Sequence, residues 1–509
     1  MFNRFWLVAT TLVILSAGSL SAQTTHYVAP IGANTSGAPD GTAANPWSSV
    51  GEAISSGKVF GGDTLLLKDG NHGSLHIYNR QFEPALTIRS ENNRNAHFDW
   101  VRFYDDTSGF VLDSVSVWPV HTLPPNGAAL YSQSSASNIV VQNTIIRGAE
   151  DSQSFMDWTL ARWNSLATSG INFKSSNSSV LGNVISGVQF GISTSGHDVI
   201  VDGNTVDGFG GDGLRGLGDR SVFRRNRVSN CFSINSNHDD GFQSWQTDGS
   251  VDDLTLDGNT FIEWTGPADH PLRCMLQGIG LFDGWYENLT ITNNIVAVTH
   301  WHGISVYGGH GVNISNNTVV NLSGNPADRP WILVHDHKNG EPTTGVTVAN
   351  NLTMKLSTSA ASSPFTTHID NSIIFYPASS FKDVLNFDYT PTPESGFIDT
   401  ANATYAPDTD VFGRLRPFGL GPDKGAIEVG APDPVVEEAQ VAPETSITDS
   451  TEGSTSTFWG TTSTDTTTAE TSTATIFTSD TNLEQDVSGE GTKNIRVGRW
   501  LKAPKGRNK

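Results

Sequence analysis

The feature that most constrains this chain is an asparagine that returns in the same local setting along its middle. It stands in Val141-Gln142-Asn143-Thr144-Ile145, Leu181-Gly182-Asn183-Val184-Ile185 and Asp202-Gly203-Asn204-Thr205-Val206, then at Asn226, Asn259, Asn294, Asn317 and Asn351. Successive spacings are 40, 21, 22, 33, 35, 23 and 34 residues, which sets a unit of about 22 residues, the longer gaps being units with inserted loops or a skipped repeat. Each Asn lies between short runs of alternating apolar residues, such as Val199-Ile200-Val201 before Asn204 and Val206 after it. Alternation interrupted by a turn residue is a strand–turn–strand corner. Asn tolerates left-handed backbone geometry and hydrogen-bonds its own turn, so stacked repeats predict an internal Asn ladder, with Asn183, Asn204, Asn226, Asn259, Asn294 and Asn317 at equivalent corners. No long segment carries the 3.6-residue apolar period of a helix.

A second repeat is offset from the first: Gly170-Ile171, Gly191-Ile192, Gly213-Leu214, Gly241-Phe242, Gly278-Ile279 and Gly303-Ile304. Stacked units point these apolar residues inward, and the next position outward, so Asn172, Ser193, Arg215, Gln243, Gly280 and Ser305 line one external sheet. The chain therefore reads as an all-β solenoid of parallel strands. Its ends resemble those of secreted, pectin-lyase-like proteins. Tyr27-Val28-Ala29-Pro30, Asn45-Pro46-Trp47 and Gly61-Gly62-Asp63-Thr64-Leu65-Leu66-Leu67 resemble their capping start, and Arg416-Pro417 with Gly421-Pro422-Asp423-Lys424-Gly425-Ala426-Ile427-Glu428 resembles their closing segment. The resemblance covers roughly residues 26–430 and implies a right-handed parallel β-helix. It says little about activity, since this scaffold hosts lyases, hydrolases, epimerases and adhesins.

The flanks differ from the middle. Residues 1–22, with Arg4, an apolar run from Phe5 to Leu15 and small residues after it, read as a signal peptide. That predicts a secreted protein, extracellular or at the cell surface, and no later segment is apolar enough to span a membrane. Residues 23–430 hold the patterned domain. Residues 431–490 form a Thr- and Ser-rich stretch expected to be a disordered linker, and residues 491–509 form a basic tail that could attach to an anionic envelope. The formal net charge of −22 excludes nucleic acid as a partner. An acidic substrate would need local Arg or Lys, or a bridging cation. Cys231 and Cys274 are the only cysteines, and whether they pair is open at this level.

Chemistry concentrates in Asn237-His238-Asp239-Asp240-Gly241-Phe242-Gln243-Ser244-Trp245, preceded one unit earlier by Gly211-Asp212-Gly213-Leu214-Arg215. Asp212 and Asp240 both precede the repeat glycine, so they should stack about 5 Å apart, with Asp239 beside them. Clustered carboxylates raise each other's pKa, and Ca²⁺ suits their oxygens. The two motifs resemble the calcium site of family 9 polysaccharide lyases, in which an Asp-Gly unit is followed by Asn-x-Asp-Asp-Gly-x-Asp. That resemblance implies Asp212, Asp239 and Asp240 as Ca²⁺ ligands, with Gln243 standing where the family has its last Asp. The family's Lys base has no counterpart near Gly278-Ile279-Gly280.

Further along, His300-Trp301-His302-Gly303-Ile304-Ser305-Val306-Tyr307 and Trp331-Ile332-Leu333-Val334-His335-Asp336-His337-Lys338 fall on the same face. Trp245, Trp301 and Tyr307 could stack on sugar rings, with His335 beside them, and Arg215, Arg273 or Lys338 could pair with a uronate carboxylate. The expectation is a lyase that cleaves an acidic polysaccharide by β-elimination with Ca²⁺ assistance, His302, Lys338 or Arg273 acting as general base. Asp239 and Asp240, upstream of His302-Gly303, also loosely resemble polygalacturonase motifs, which implies a glycoside hydrolase as an alternative. A non-catalytic carbohydrate-binding surface protein or adhesin is the third reading. His300, His302, His335 and His337 could instead hold zinc, although no helical His spacing supports it.

Overall fold

The computed structural model describes residues 23–33, 38–120, 127–166, 168–322 and 329–434. The expected signal peptide, most of the linker and the basic tail lie outside the described residues.

One coil is Ile192–Thr194, Ile200–Asp202 and Thr205–Phe209. Each strand pairs in parallel with its counterpart one coil away: Ile192–Thr194 with Leu214–Gly216, Ile200–Asp202 with Val222–Arg224, and Thr205–Phe209 with Arg227–Cys231. Three ladders result. Sheet one runs from Ser74–Tyr78 to Lys355–Thr358, sheet two from Thr25–Val28 to Thr366–Ile369, and sheet three from Gly70–Asn71 to Ser372–Ile373. The long strand Gln277–Glu287 pairs with strands of both sheets one and two, so hydrogen bonding joins those into one 24-stranded sheet beside the 12-stranded sheet three. The expected all-β parallel helix is what forms.

The inward column is in register through Ile171, Ile192, Leu214, Phe242, Ile279, Ile304 and Ile332, all without solvent exposure. Beside it runs the outward column Asn172, Ser193, Arg215, Gln243, Gly280 and Ser305. The repeat glycine before each core residue is there for space. A Cβ at Gly213 would lie 2.3 Å from Val228, and one at Gly303 would lie 2.4 Å from Val319.

The Asn ladder forms between sheets two and three. Asn204 donates from its backbone N–H and from Nδ2 to Asn226 Oδ1 at 3.0 and 2.9 Å, and Asn226 does the same to Asn259 at 3.1 and 2.9 Å. The pattern runs unbroken from Asn183 through Asn294, Asn317 and Asn351 to Asn371. Two expectations need correction. Asn143 is not a ladder member: Thr144 takes that position, receiving Asn183 Oδ1 on its backbone N–H at 2.9 Å. The left-handed residue is also not the ladder Asn but the one before it, Gly182, Gly203, Arg225, Gly258, Asn293, Asn316 or Asn350. That turn frees the next side chain to point inward. The wide spacings of 33, 35 and 34 residues are single coils with insertions, since the rung is continuous across them.

Several insertions fall where sheet three hands over to sheet one. Residues 148–166 and 263–276 pack Phe155, Trp158, Trp163 and Trp264 around Phe232 in a satellite core, and a Cys231–Cys274 disulfide ties the second to the coil before it. The closing segment runs back over the outside of sheet three, burying Val411, Ala426 and Ile427 against Ile295, Ala297, Val320 and Leu352.

Candidate functional site

The outer face of sheet one gathers the chemistry. Asp212 sits two residues before its strand and Asp240 opens the strand of the next coil, and both side chains are fully buried. Arg215, three residues after Asp212, returns its Nε to Asp212 Oδ2 at 2.5 Å. Its guanidinium lies 3.6 Å from the ring centre of Phe190 and 5.3 Å from that of Trp245. Held by one nitrogen and two rings, Arg215 keeps its terminal Nη groups without a partner among the described residues. Asp212 Oδ1 accepts the backbone N–H of Asp240 at 3.2 Å, and Asp240 Oδ2 is 2.9 Å from His238 Nδ1. A continuous chain therefore runs Arg215, Asp212, Asp240, His238 across two coils.

Burial, more than any partner, raises the carboxyls. Asp212 is raised by desolvation and partly restored by Arg215. Asp240 is pushed up to about 7 and Asp239 to about 8, by desolvation first and by the neighbouring carboxylates after it. Asp240 Oδ1 is buried without a hydrogen bond and lies over Gly280, where a Cβ would come within 2.5 Å of it. The hydrogen bond that His238 donates to Asp240 raises the pKa of His238.

The expected metal ligands do not stand together as a closed set. Among the described residues the one group of three His, Cys, Asp or Glu donors within 4.8 Å of one another is Cys231, Asp239 and Cys274, and those two sulfurs are bonded to each other. One Asp239 oxygen thus lies within 4.8 Å of both sulfurs, and both oxygens of Asp212 are engaged. What fits a cation is the supply of unmatched oxygen: the Asp239 carboxylate and the orphaned Asp240 Oδ1, with Gln243 one step from Arg215 in the outward column.

His302 lies two coils beyond Asp240, after Gln277, about 10 Å along the axis. Its Nδ1 is 2.8 Å from Ser305 Oγ, which accepts Trp331 Nε1–H at 3.0 Å. The Trp nitrogen can only donate, and Ser305 is buried, so its hydroxyl proton is satisfied by His302 Nδ1. The neutral ring therefore carries its proton on Nε2 and presents a donor. His300 Nδ1 likewise accepts a backbone N–H, from His302 at 3.1 Å. Burial holds both rings down to about 4. His302 is a poor fit to the role of base expected of it.

The other expected bases are engaged elsewhere. Arg273 grips Glu263 at 2.7 and 3.0 Å, and Glu263, fully buried, also accepts Thr299 N–H at 2.7 Å. That pair fastens an insertion and corrects the reading of Arg273 as base or substrate ligand. Lys338 pairs with Asp283. Tyr307 stacks on His335 at 4.7 Å, while Trp301 stands half-exposed over His300 at 4.1 Å. The zinc reading is not met: His335 binds Asp336 at 3.1 Å and His337 stacks on Trp285 at 4.5 Å. Sequence reasoning set His238 beside the carboxylates without giving it a role, and passed over Phe190. Only His238 carried a signal, through its place beside Asp239-Asp240.

Residues 169–353 match a family model described as a right handed beta helix region. Among solved structures the chain is similar to pectate lyase Pel9A, at 16% identity over 81% of this chain and 97% of that one, with a TM-score of 0.41. It is also similar to a PL6 alginate lyase in complex with a trisaccharide, at 12% identity over 69% and 86%, TM-score 0.42. A third is the A-module of mannuronan C-5 epimerase AlgE4 from Azotobacter vinelandii, at 12% over 68% and 95%, TM-score 0.41. No curated protein matches the sequence. Likeness of this degree says nothing about activity, and among the described residues no helix is long and apolar enough to cross a membrane. The chain is a right-handed parallel β-helix protein.

Proposed function

We propose that this protein is a secreted lyase that cleaves a uronate-containing polysaccharide by β-elimination, with Arg215 binding the substrate carboxylate and His238 as general base. One observation carries the reading: the linked network Arg215, Asp212, Asp240, His238 sets a free guanidinium edge and an oriented imidazole on adjacent coils. His238 Nδ1–H donates to Asp240, so the lone pair of its neutral form is on the outward Nε2. β-Elimination needs that pair of functions. A carboxylate paired with Arg215 makes the adjacent carbon more acidic. Its proton passes to His238 Nε2, the electron pair becomes the ring C=C bond, and the glycosidic C–O bond β to it breaks, the departing oxygen taking a proton from water or a neighbouring ring N–H. Asp239, Asp240 through Oδ1, and Gln243 would hold Ca²⁺, water completing its shell. Bound there, it supplies positive charge that neutralises the buried carboxylates and the substrate's own. Export by residues 1–22 and envelope attachment by residues 491–509 belong to the same proposal.

A hydrolase of the polygalacturonase type needs two carboxyls facing one bond from opposite sides. Asp239 and Asp240 are consecutive residues on one edge, so the geometry favours elimination.

Pectate, alginate and other uronans are the substrates to screen, with and without Ca²⁺, for the ultraviolet absorbance of unsaturated ends. His238→Asn should lower the rate by roughly 10²–10⁴-fold with little loss of thermal stability, since His238 is more than half exposed. New reducing ends without that absorbance, or an undiminished rate in His238→Asn, would overturn the proposal.

A further inference from the structure

Many described cations of this acidic chain are paired with acids, among them Arg162 with Asp151, Arg220 with Asp198, Arg224 and Arg225 with Asp202, Arg414 with Asp410 and Arg416 with Glu428. On sheet one two lysines lie over aromatic rings instead, as Lys58, Lys68 and Arg147 do elsewhere. Lys174 lies over the Tyr131 ring at 5.8 Å, and Lys355 lies over the Trp331 ring at 4.8 Å. Both lysines are exposed, and neither has a carboxylate within 4.0 Å among the described residues. Arg215, seated on Phe190 and Trp245, lies between them.

The register places all three on one sheet, Lys174 two residues past the column that carries Arg215 and Lys355 two residues before it. Tyr131, Asn172, Ser193 and Arg215 are successive rungs, followed by Gln243, Gly280, Ser305 and Leu333, and Trp331 pairs with Lys355 in the last step. From the Lys174 coil to the Lys355 coil is seven steps, roughly 34 Å at ~4.8 Å per step. In a chain of net charge −22, cations spread along one sheet, each backed by an aromatic face, are matched to a ligand that repeats both a negative charge and an apolar ring face.

We propose that Lys174 with Tyr131, and Lys355 with Trp331, are outlying subsites on either side of Arg215, so that the protein binds an extended polyuronate across most of sheet one and selects long chains over short ones. This rests on the reading of the face as a polysaccharide groove. The lysine pairs secure uronate units remote from the bond that breaks: they add to binding and take no part in the chemistry. Exposed charges spaced along the chain give a contribution that salt weakens.

The test is the double variant Lys174→Gln/Lys355→Gln, compared with the full chain for binding to polypectate and polyalginate, and to their short oligosaccharides, by a method that needs no turnover. The expected result is a loss of roughly tenfold in affinity for the long polymers, a flatter salt dependence, and no change for the short fragments. Where cleavage is observed, KM on the polymer rises and kcat holds. Equal loss on short and long chains, no loss on long chains, or no binding of any uronan by the full chain would overturn the inference. Lysine-dependent binding of the polymer without unsaturated products would support these subsites and overturn the lyase reading, while cleavage indifferent to both lysines would do the reverse.

Discussion

Buried carboxylates set the terms at the scale of single residues. Asp239 and Asp240 are held at about 8 and 7 because water is excluded and like charges adjoin, so a cation that binds only the folded state should stabilise the protein by mass action. Adding Ca²⁺ should therefore raise the melting temperature. Asp239→Asn/Asp240→Asn should abolish that increment and leave the metal-free protein as stable or more so. A double variant that unfolds in the presence of chelator would show these carboxyls to be structural. The histidines titrate the other way. Burial holds His300 and His302 near 4 in the folded state, against about 6.5 unfolded. The unfolded chain then binds more protons between those values, so their contribution is fully present above about pH 6.5 and is lost as the pH falls toward 4. Melting at about pH 5 against neutral pH should show a smaller acid loss in His300→Gln/His302→Gln than in the parent. An unchanged acid loss would place the sensitivity elsewhere.

At the scale of the element, the Asn ladder makes each coil depend on its neighbours. Asn226 donates to Val201 O and Asn259 Oδ1 and accepts two hydrogen bonds from Asn204, all buried. Asn226→Ala leaves those groups without partners and should cost ~3 kcal/mol or more. Asn371 ends the ladder, half-buried, with a ladder partner on one side only, so Asn371→Ala should cost distinctly less. Denaturant titration of the two variants measures the difference, and equal losses would mean that the ladder does not transmit along the coils. The same inter-coil logic explains the insertions. A loop between sheets three and one can grow by a dozen residues without disturbing register, because the rungs on either side of it are already hydrogen-bonded.

For the whole molecule, the decisive contact is made late in the chain. Arg416 is buried against Glu428 at 2.9 Å, donates to Asp423 O at 2.9 Å and to Gly425 O at 2.8 Å, and reaches Asn293 Oδ1 at 3.4 Å. It clamps the closing segment along the corner where the left-handed residues of the coils line up. Asn316 Nδ2 meets Asp423 O from the coil side, and Gly425 N–H meets Asn350 O. Arg416→Ala strands a buried Glu428 and Asp423, and should cost about 3–5 kcal/mol, with loss of protection from proteolysis concentrated in residues 397–434. Loss confined to sheet one would contradict this account.

Periodicity was readable because it is a local property. The Gly-apolar repeat, the Asn corners and the outward column from Asn172 to Ser305 follow from two-residue alternation and turn chemistry, and the structure keeps them in register. Asn143 misled because Asn is favoured both as the left-handed turn residue and as the inward ladder residue, and the sequence alone does not say which of two adjacent positions points in. Site roles were less legible. Asn237-His238-Asp239-Asp240 marked the place, but whether a carboxylate meets metal, imidazole or guanidinium depends on a neighbour some 28 residues away on another coil. Arg273 was indistinguishable from a substrate ligand until Glu263 was found buried beneath it. His302 sat where a base was expected, and it became a donor through a Trp–Ser relay from the next coil. Local pattern determined the solenoid and the face on which chemistry would lie. The contacts between coils, which set burial, proton position and ion pairing, decided what each side chain on that face can do.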